Sequence, residues 1–239
     1  FMLSNTAETY QHANLEPVIR TIPAPVTRPG QLYDVDPSRS KNIAMADTVV
    51  GGGGNETPFD ADHGAHPCGL FAQEFSTPFE NWLVLGVMTD HSGKALSLAD
   101  LGLDAGKTYF VYDFWKQSLV GEVKGSFTPR AFDAQTQSVV YAIREKMNRP
   151  QILSTNRHIS QGGVDLVDMQ WRGNALFGKS KVVAGDRYEL VLHVPAGFKL
   201  TSATIAGKPA QIKAEGELLR ASFTPAVSGE TEWRMEFAE

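Results

Sequence analysis

The chain has one cysteine, Cys68, no apolar run near the length of a membrane span, no stripe of basic residues and, beyond Leu70, no segment with helical period. Each absence excludes something. A lone cysteine cannot close an internal disulfide, which is compatible with cytoplasm and equally with a periplasmic or secreted location, so localisation stays open. A spanning helix needs about 20 mostly apolar residues, so no membrane span is predicted. A formal net charge of -5 with scattered lysines and arginines gives no general attraction to nucleic acid. The first residues, Phe1 to Asn5, lack the basic and long apolar regions of a signal peptide. Without strand-helix alternation after residue 70, the larger part of the chain cannot be a complete α/β enzyme.

What is present is ordinary globular composition: 239 residues, 42% hydrophobic and 21% charged, with 22 glycines and 13 prolines to supply turns. That length buries a sizeable core without disulfides or a cofactor. The glycine run Gly51 to Gly54 divides it. Ahead of it, Thr6 to Thr21 has helical character, capped by Ser4, Asn5 or Thr6, with Tyr10, Ala13, Leu15, Val18 and Ile19 on one face and Pro17 disturbing its second half. Pro23, Pro25 and Pro29 then enforce extended chain, and Gln31 to Asp36 forms a short strand. Phe1 to Leu3 has the pattern of a strand end, so the N-terminus is expected to be a cut edge.

The expected organisation is therefore a short α/β piece at 1–45, a flexible linker at 46–69, and two antiparallel β-sandwich domains at 70–147 and 148–239. In the first, strands are expected at Leu70 to Phe75, Trp82 to Thr89, Thr108 to Trp115, Leu119 to Gly125 and Ser138 to Arg144. In the second they fall at Gly163 to Trp171, Ala175 to Val183, Arg187 to Val194, Ala203 to Ile205, Ala210 to Ala214, Leu218 to Phe223 and Glu232 to Phe237. Tyr188, Leu190, Leu192 and Val194 alternate with polar residues, as do Trp233, Met235 and Phe237, which predicts one wet face per strand. Ile205 to Pro209 has the signature of a tight hairpin turn.

Several residue groups carry chemistry in principle. Asp60, Asp62, His63, His66 and Cys68 are competent metal ligands, yet a second half-site is missing and a polar loop accounts for them. Gly51 to Gly54 lacks the lysine and the helix start of a phosphate cradle. Glu74, Glu80, Asp90, Asp100, Asp104, Asp113, Asp165 and Asp168 include potential carboxylate pairs, which a sugar hydrolase holds roughly 5 to 9 Å apart, but a sequence does not pair them. Tyr109, Phe110, Tyr112, Phe114 and Trp115, with Trp82, form either a sugar-stacking platform or a buried strand, and large rings favour the core. Trp171 belongs to the same question. Arg157-His158 is a polar pair with no nucleophile beside it. No catalytic, cofactor-binding or metal-ligating residue is assigned.

Four stretches taken together, Pro78 to Gly86, Leu98 to Leu103, Tyr109 to Trp115 and Arg149 to Ile159, resemble the C-terminal portion of bacterial α-galactosidase-like (melibiase-like) glycoside hydrolases. Phe1 to Asn5 and Pro29 to Asp34 look like the closing units of such an enzyme's (β/α)8 barrel. The resemblance implies retaining hydrolysis of terminal α-linked sugars by the complete enzyme, through a covalent glycosyl-enzyme intermediate, with carbohydrate as partner and no cofactor. It also implies that the catalytic aspartates lie on middle barrel strands, so that Asp34 and Asp36 fall too late in the pattern to be that pair. On this expectation the chain is a non-catalytic C-terminal region, and its N-terminal piece exposes apolar surface suited to homo-oligomer contacts. The alternative expectation is a carbohydrate-binding or structural β-sandwich module without enzymatic activity.

Overall fold

The computed structural model describes residues 16–17, 19–21, 32–34, 70–88, 93–132 and 138–239. The potential ligands from Asp60 to Cys68, the glycine run, Asp36, Asp90 and most of the expected helix at 6–21 lie outside the described residues. The protein is mainly β, built from antiparallel sheets. It divides into two compact units, one comprising Pro29–Ser76 and Asn81–Lys146, the other Phe1–Arg28, Thr77–Glu80 and Met147–Glu239.

The first unit is one eight-stranded sheet. Its strands are β1 (Leu32–Asp34), β2 (Leu70–Ser76), β3 (Asn81–Met88), β4 (Leu96–Ser97), β5 (Thr108–Asp113), β6 (Ser118–Lys124), β7 (Ser126–Phe127) and β8 (Ser138–Glu145), in the spatial order β1-β2-β3-β8-β5-β6-β7-β4. Leu32–Asp34, expected as part of a barrel-like unit, pairs antiparallel with β2 and extends this sheet at its edge. Alternation decides what faces inward: Leu70 and Ala72, Leu83, Leu85 and Val87, Tyr109 and Val111, and Val139, Tyr141 and Ile143 meet in one core with Leu98 and Leu101 of a connecting loop. Burying each large apolar side chain contributes on the order of 2 kcal/mol.

The sheet curls back on itself. Phe127 of β7 lies edge-on to Tyr141 of β8 with centroids 4.9 Å apart, although β5 and β6 separate the two strands in the sheet. In a flat sheet that separation would be about 14 Å. A register shift at Val111/Tyr112, opposite Gly121 with φ 146°, marks one place where the curvature is introduced. Consecutive strands thus supply both walls of the core.

The second unit is a two-sheet sandwich. A four-stranded sheet has the order β15-β16-β12-β9, from β9 (Gln151–Thr155), β12 (Tyr188–His193), β15 (Gln211–Glu215) and β16 (Leu218–Phe223). A five-stranded sheet has the order β10-β11-β17-β13-β14, from β10 (Leu166–Arg172), β11 (Ala175–Val182), β13 (Lys199–Ile205), β14 (Lys208–Pro209) and β17 (Gly229–Ala238). Ile152, Leu190, Leu192, Leu219 and Ala221 from one sheet meet Leu176, Val182, Ile205, Trp233, Met235 and Phe237 from the other.

Two sequence expectations need correction here. Leu190 and Leu192 do face the core, but the alternate positions of β12 are not wet: Glu189, Val191 and His193 are as buried as their neighbours, and Arg220 and Ser222 of β16 are buried beside them. These polar groups are tolerated because they are paired. Arg220 donates to Glu189 at 2.8 Å and to Glu215 at 3.1 Å, and Arg187 donates to the other Glu189 oxygen at 2.8 Å. The second correction is β9, which was not among the expected strands. All five of its residues are buried, so it carries no two-residue alternation to reveal it.

Candidate functional site

The feature that unites the most polar side chains of the second unit is the seat it builds for the helical turn at residues 16–21. Helical backbone is present at Glu16, Pro17 and Ile19, and Arg20 N donates to Glu16 O at 3.1 Å. Pro17 has no N–H to contribute and does not interrupt that bond. The last carbonyls of a helix have no partner within it and require donors from elsewhere. Here the donors come from Arg157 and Ile159. Ile159 N donates to Arg20 O at 2.9 Å, and Arg157 Nη1 reaches Ile19 O at 3.4 Å.

His158 lies between these two donors. Its Nδ1 accepts from Ser160 N at 3.0 Å and lies 2.8 Å from Ser160 Oγ, which places the ring proton on Nε2. That nitrogen approaches the Thr21 carbonyl outside good hydrogen-bond geometry, an interaction that favours the protonated ring but does not overcome burial. Burial is the dominant cause and lowers the His158 pKa to about 4, with the neighbouring Arg157 charge acting in the same direction. His158 is 1% exposed and neutral at ordinary pH.

Arg20 locks the turn from its other side. Its guanidinium donates to Asp186 Oδ2 at 2.8 Å and Oδ1 at 3.0 Å, a bidentate pair, and to Glu16 Oε1 at 2.7 Å. Arg20 is 8% exposed. Asp186 is presented by a tight turn between β11 and β12, in which Asp186 N bonds Val183 O and Gly185 takes φ 77°. Asn156 steadies the opposite wall by accepting from Glu189 N at 2.8 Å and donating to Arg187 O at 2.7 Å. Every one of these contacts lies within the second unit.

Behind the seat runs a buried polar chain. Trp233 Nε1 donates to Ser180 Oγ at 2.9 Å, Ser180 and Tyr188 hydroxyls are 2.8 Å apart, and Tyr188 Oη donates to Asp165 Oδ2 at 2.8 Å. Each hydroxyl has one proton, and the indole and the carboxylate fix the direction: indole to serine, serine to tyrosine, tyrosine to aspartate. Burial raises the Asp165 pKa, opposed by Tyr188 and Thr155, and burial together with Asp165 raises that of Tyr188 well above its ordinary value.

Of the other carboxylates considered above, Glu74 and Asp104 line one cavity of the first unit and the rest are dispersed. Asp113 accepts from Arg130 Nε and Lys116 N, both at 3.0 Å, and closes the turn after β5. Asp104 accepts from Gly106 N in a turn, Asp168 from Met169 N on β10, and Asp100 is exposed. Glu80 is half-buried in the turn organised by Thr77, and Glu74 is exposed on β2. Of the aromatic run, Tyr109, Phe110, Tyr112 and Phe114 are buried, as is Trp82, so the strand belongs to the core. Trp115 is 37% exposed, and Trp171 is half-buried against Phe198 and Phe237.

Sequence reasoning named Arg157 and His158 as a polar pair but missed Arg20, Asp186 and Asn156 as their partners. A helix C-terminal arginine and an Asp in a Gly-Asp turn are too common to single out, and only the fold brings them together. No family model matches the chain, and no curated protein matches it significantly.

Proposed function

We propose that this chain is the non-catalytic C-terminal region of an α-galactosidase-like glycoside hydrolase, with its second unit acting as a buttress for the preceding helical segment. The observation that carries the reading is the seat for residues 16–21, where a β-sandwich holds one helix end with a bidentate ion pair and two donors to its carbonyls. A sandwich that serves only itself has no use for such a seat. The resemblance of Arg149 to Ile159 to those enzymes bears on the same place, because Asn156, Arg157, His158 and Ile159 are its wall. On this reading the complete enzyme hydrolyses terminal α-linked sugars with carboxylates that this chain does not supply.

The test compares this chain with the longer polypeptide read from its gene, using an aryl α-galactoside. No turnover by the chain and turnover by the longer polypeptide is the expected result. Turnover by the chain alone, or none by either, overturns the reading. The alternative of a carbohydrate-binding β module is favoured by one observation, the exposed Trp115 ring set edge-on to Phe114 at 4.9 Å. Loss of glycan retention on Trp115→Ala would support that alternative.

A further inference from the structure

The inner face of the first unit's sheet changes from apolar to polar towards one end of four strands. On β2 it runs Leu70, Ala72, then Glu74; on β3, Val87, Leu85, Leu83, then Asn81; on β8, Val139, Tyr141, Ile143, then Glu145. On β5 the residue two before inward-facing Tyr109 is Lys107. Cross-strand pairing sets them in steps at one end of the sheet: Glu74 is level with Leu83 and Ile143, Glu145 lies two residues further on opposite Tyr109, and Lys107 two residues beyond Tyr109. Alternation therefore delivers two carboxylates, an amide and an ammonium to the mouth of the curled sheet.

The mouth is walled on one side and open on the other. The loop from Leu98 to Lys107 folds over one side, with Leu103 N bonded to Leu98 O at 2.9 Å and Asp104 N donating to Tyr109 Oη at 3.1 Å. The cavity so formed holds about 350 Å³, with Leu103 as its accessible apolar wall above the fully buried Leu83 and Ile143, and Glu74, Lys107 and Glu145 among its polar lining. That is within the roughly 300 to 1,000 Å³ of small-molecule sites, which favour the mouths of curled sheets. Lys107 Nζ and Glu145 Oε2 stand 2.8 Å apart, so a donor and an acceptor are presented side by side. Tyr109 accepts from Asp104 and keeps its own proton to donate, since burial raises its pKa.

We infer that this mouth is a binding site for one neutral polyhydroxylated ring, a hexopyranose. Adjacent hydroxyls each offer a donor and an acceptor, which Lys107, Glu145, Glu74 and Tyr109 complement in kind, while the C–H face of the ring lies against half-buried Leu103. Three carboxylates, Glu74, Asp104 and Glu145, against the one ammonium of Lys107 leave the site net negative, so it rejects anionic sugars and phosphates. The inference rests on the cavity and is independent of the hydrolase reading, because it concerns binding by this chain itself.

The experiment is a titration of the isotope-labelled 239-residue chain with D-galactose, D-glucose and D-galacturonate, followed through backbone amide NMR shifts. At least one neutral hexose should cause saturable shifts at Gly102, Gly106 and Glu145, with Kd on the order of 1 mM, and galacturonate should cause none. Glu145→Gln and Glu74→Gln should each weaken binding about tenfold, the consequence of replacing a charge-assisted hydrogen bond by a neutral one. Glu74 is exposed, so its variant keeps the fold, which the unshifted remainder of the spectrum verifies. Absence of saturable shifts at the mouth with either hexose, equal binding of galacturonate, or unchanged affinity in Glu74→Gln overturns the assignment.

Discussion

Arg20 and Asp186, 166 positions apart, meet in a bidentate ion pair of 2.8 and 3.0 Å that fixes the end of a helical turn to the rim of a β-sandwich. Removing Asp186 leaves the buried Arg20 guanidinium with exposed Glu16 as its remaining carboxylate. Asp186→Ala should therefore destabilise by roughly 2 to 4 kcal/mol, read from denaturant midpoints, while Arg20→Met, which removes the buried charge itself, should cost less. Equal losses in the two variants would mean that packing, not charge, holds the turn.

His158 makes stability fall in acid. Its folded pKa of about 4 lies below the ordinary 6.5, so the unfolded chain binds a proton first as pH drops. The contribution is complete above pH 6.5 and is lost as pH falls towards 4, by at most ~3 kcal/mol. Thermal melts of His158→Gln across that interval should lack this slope, and a slope unchanged in the variant would assign the acid sensitivity elsewhere.

Asp165 acts with opposite sign. Its pKa is raised by burial, so the folded protein holds the proton more tightly than the unfolded chain. The associated stability is present below the unfolded value of 3.8 and is lost as pH rises through the higher folded value. Asp165→Asn keeps an acceptor for Tyr188 Oη and removes the buried charge. Its stability relative to the parent should improve steadily with pH, and a constant difference between pH 4 and 8 would contradict this.

Gly178 on β11 is a packing requirement. A Cβ there would collide with the Asp168 carbonyl oxygen and stand 2.6 Å from Trp233 Cζ2. Gly178→Ala should cost about 3 kcal/mol or more and lower the midpoint of urea unfolding, since overpacking at backbone has no inexpensive relief. A midpoint within error of the parent would show that β10 can move aside.

The hairpin joining β13 to β14 has both central residues left-handed, Ala206 at φ 54° and Gly207 at φ 70°. Alanine is strained there by about 1 kcal/mol, whereas asparagine suits the first position of such a turn. Ala206→Asn should raise the melting temperature by a few degrees. Lack of any rise would mean that the asparagine loses elsewhere what it gains in the turn.

How much of this was legible depended on whether a strand had two environments. Leu218 to Phe223 is found at the expected bounds, and Trp233, Met235 and Phe237 point inward as their alternation requires. The hairpin at Ala206-Gly207 was visible because turn chemistry is local. β9 and the outer face of β12 were hidden, since burial on both sides replaces alternation by an unpatterned run, and Glu189 and His193 look like surface residues until Arg220 and Glu217 are placed beside them. The seat for residues 16–21 was half visible: Arg157-His158 stood out as polar, but its counterpart required knowing which turn lies next to which helix. The mouth of the first unit was present as Glu74, Asn81, Lys107 and Glu145, which gather at one end of the sheet only once the register of four strands is known.

The position of β17 has a consequence for how the second unit comes into being. This strand comes last in sequence of the five that form its sheet, yet it lies at the centre, between β11 and β13. During synthesis β10 and β11 can pair as a hairpin, as can β13 and β14, but the two pairs have no common edge until Gly229–Ala238 leaves the ribosome. The five-stranded sheet is thus closed from its middle, late, and a polypeptide ending before Gly229 would carry two open strand edges suited to joining a neighbouring chain.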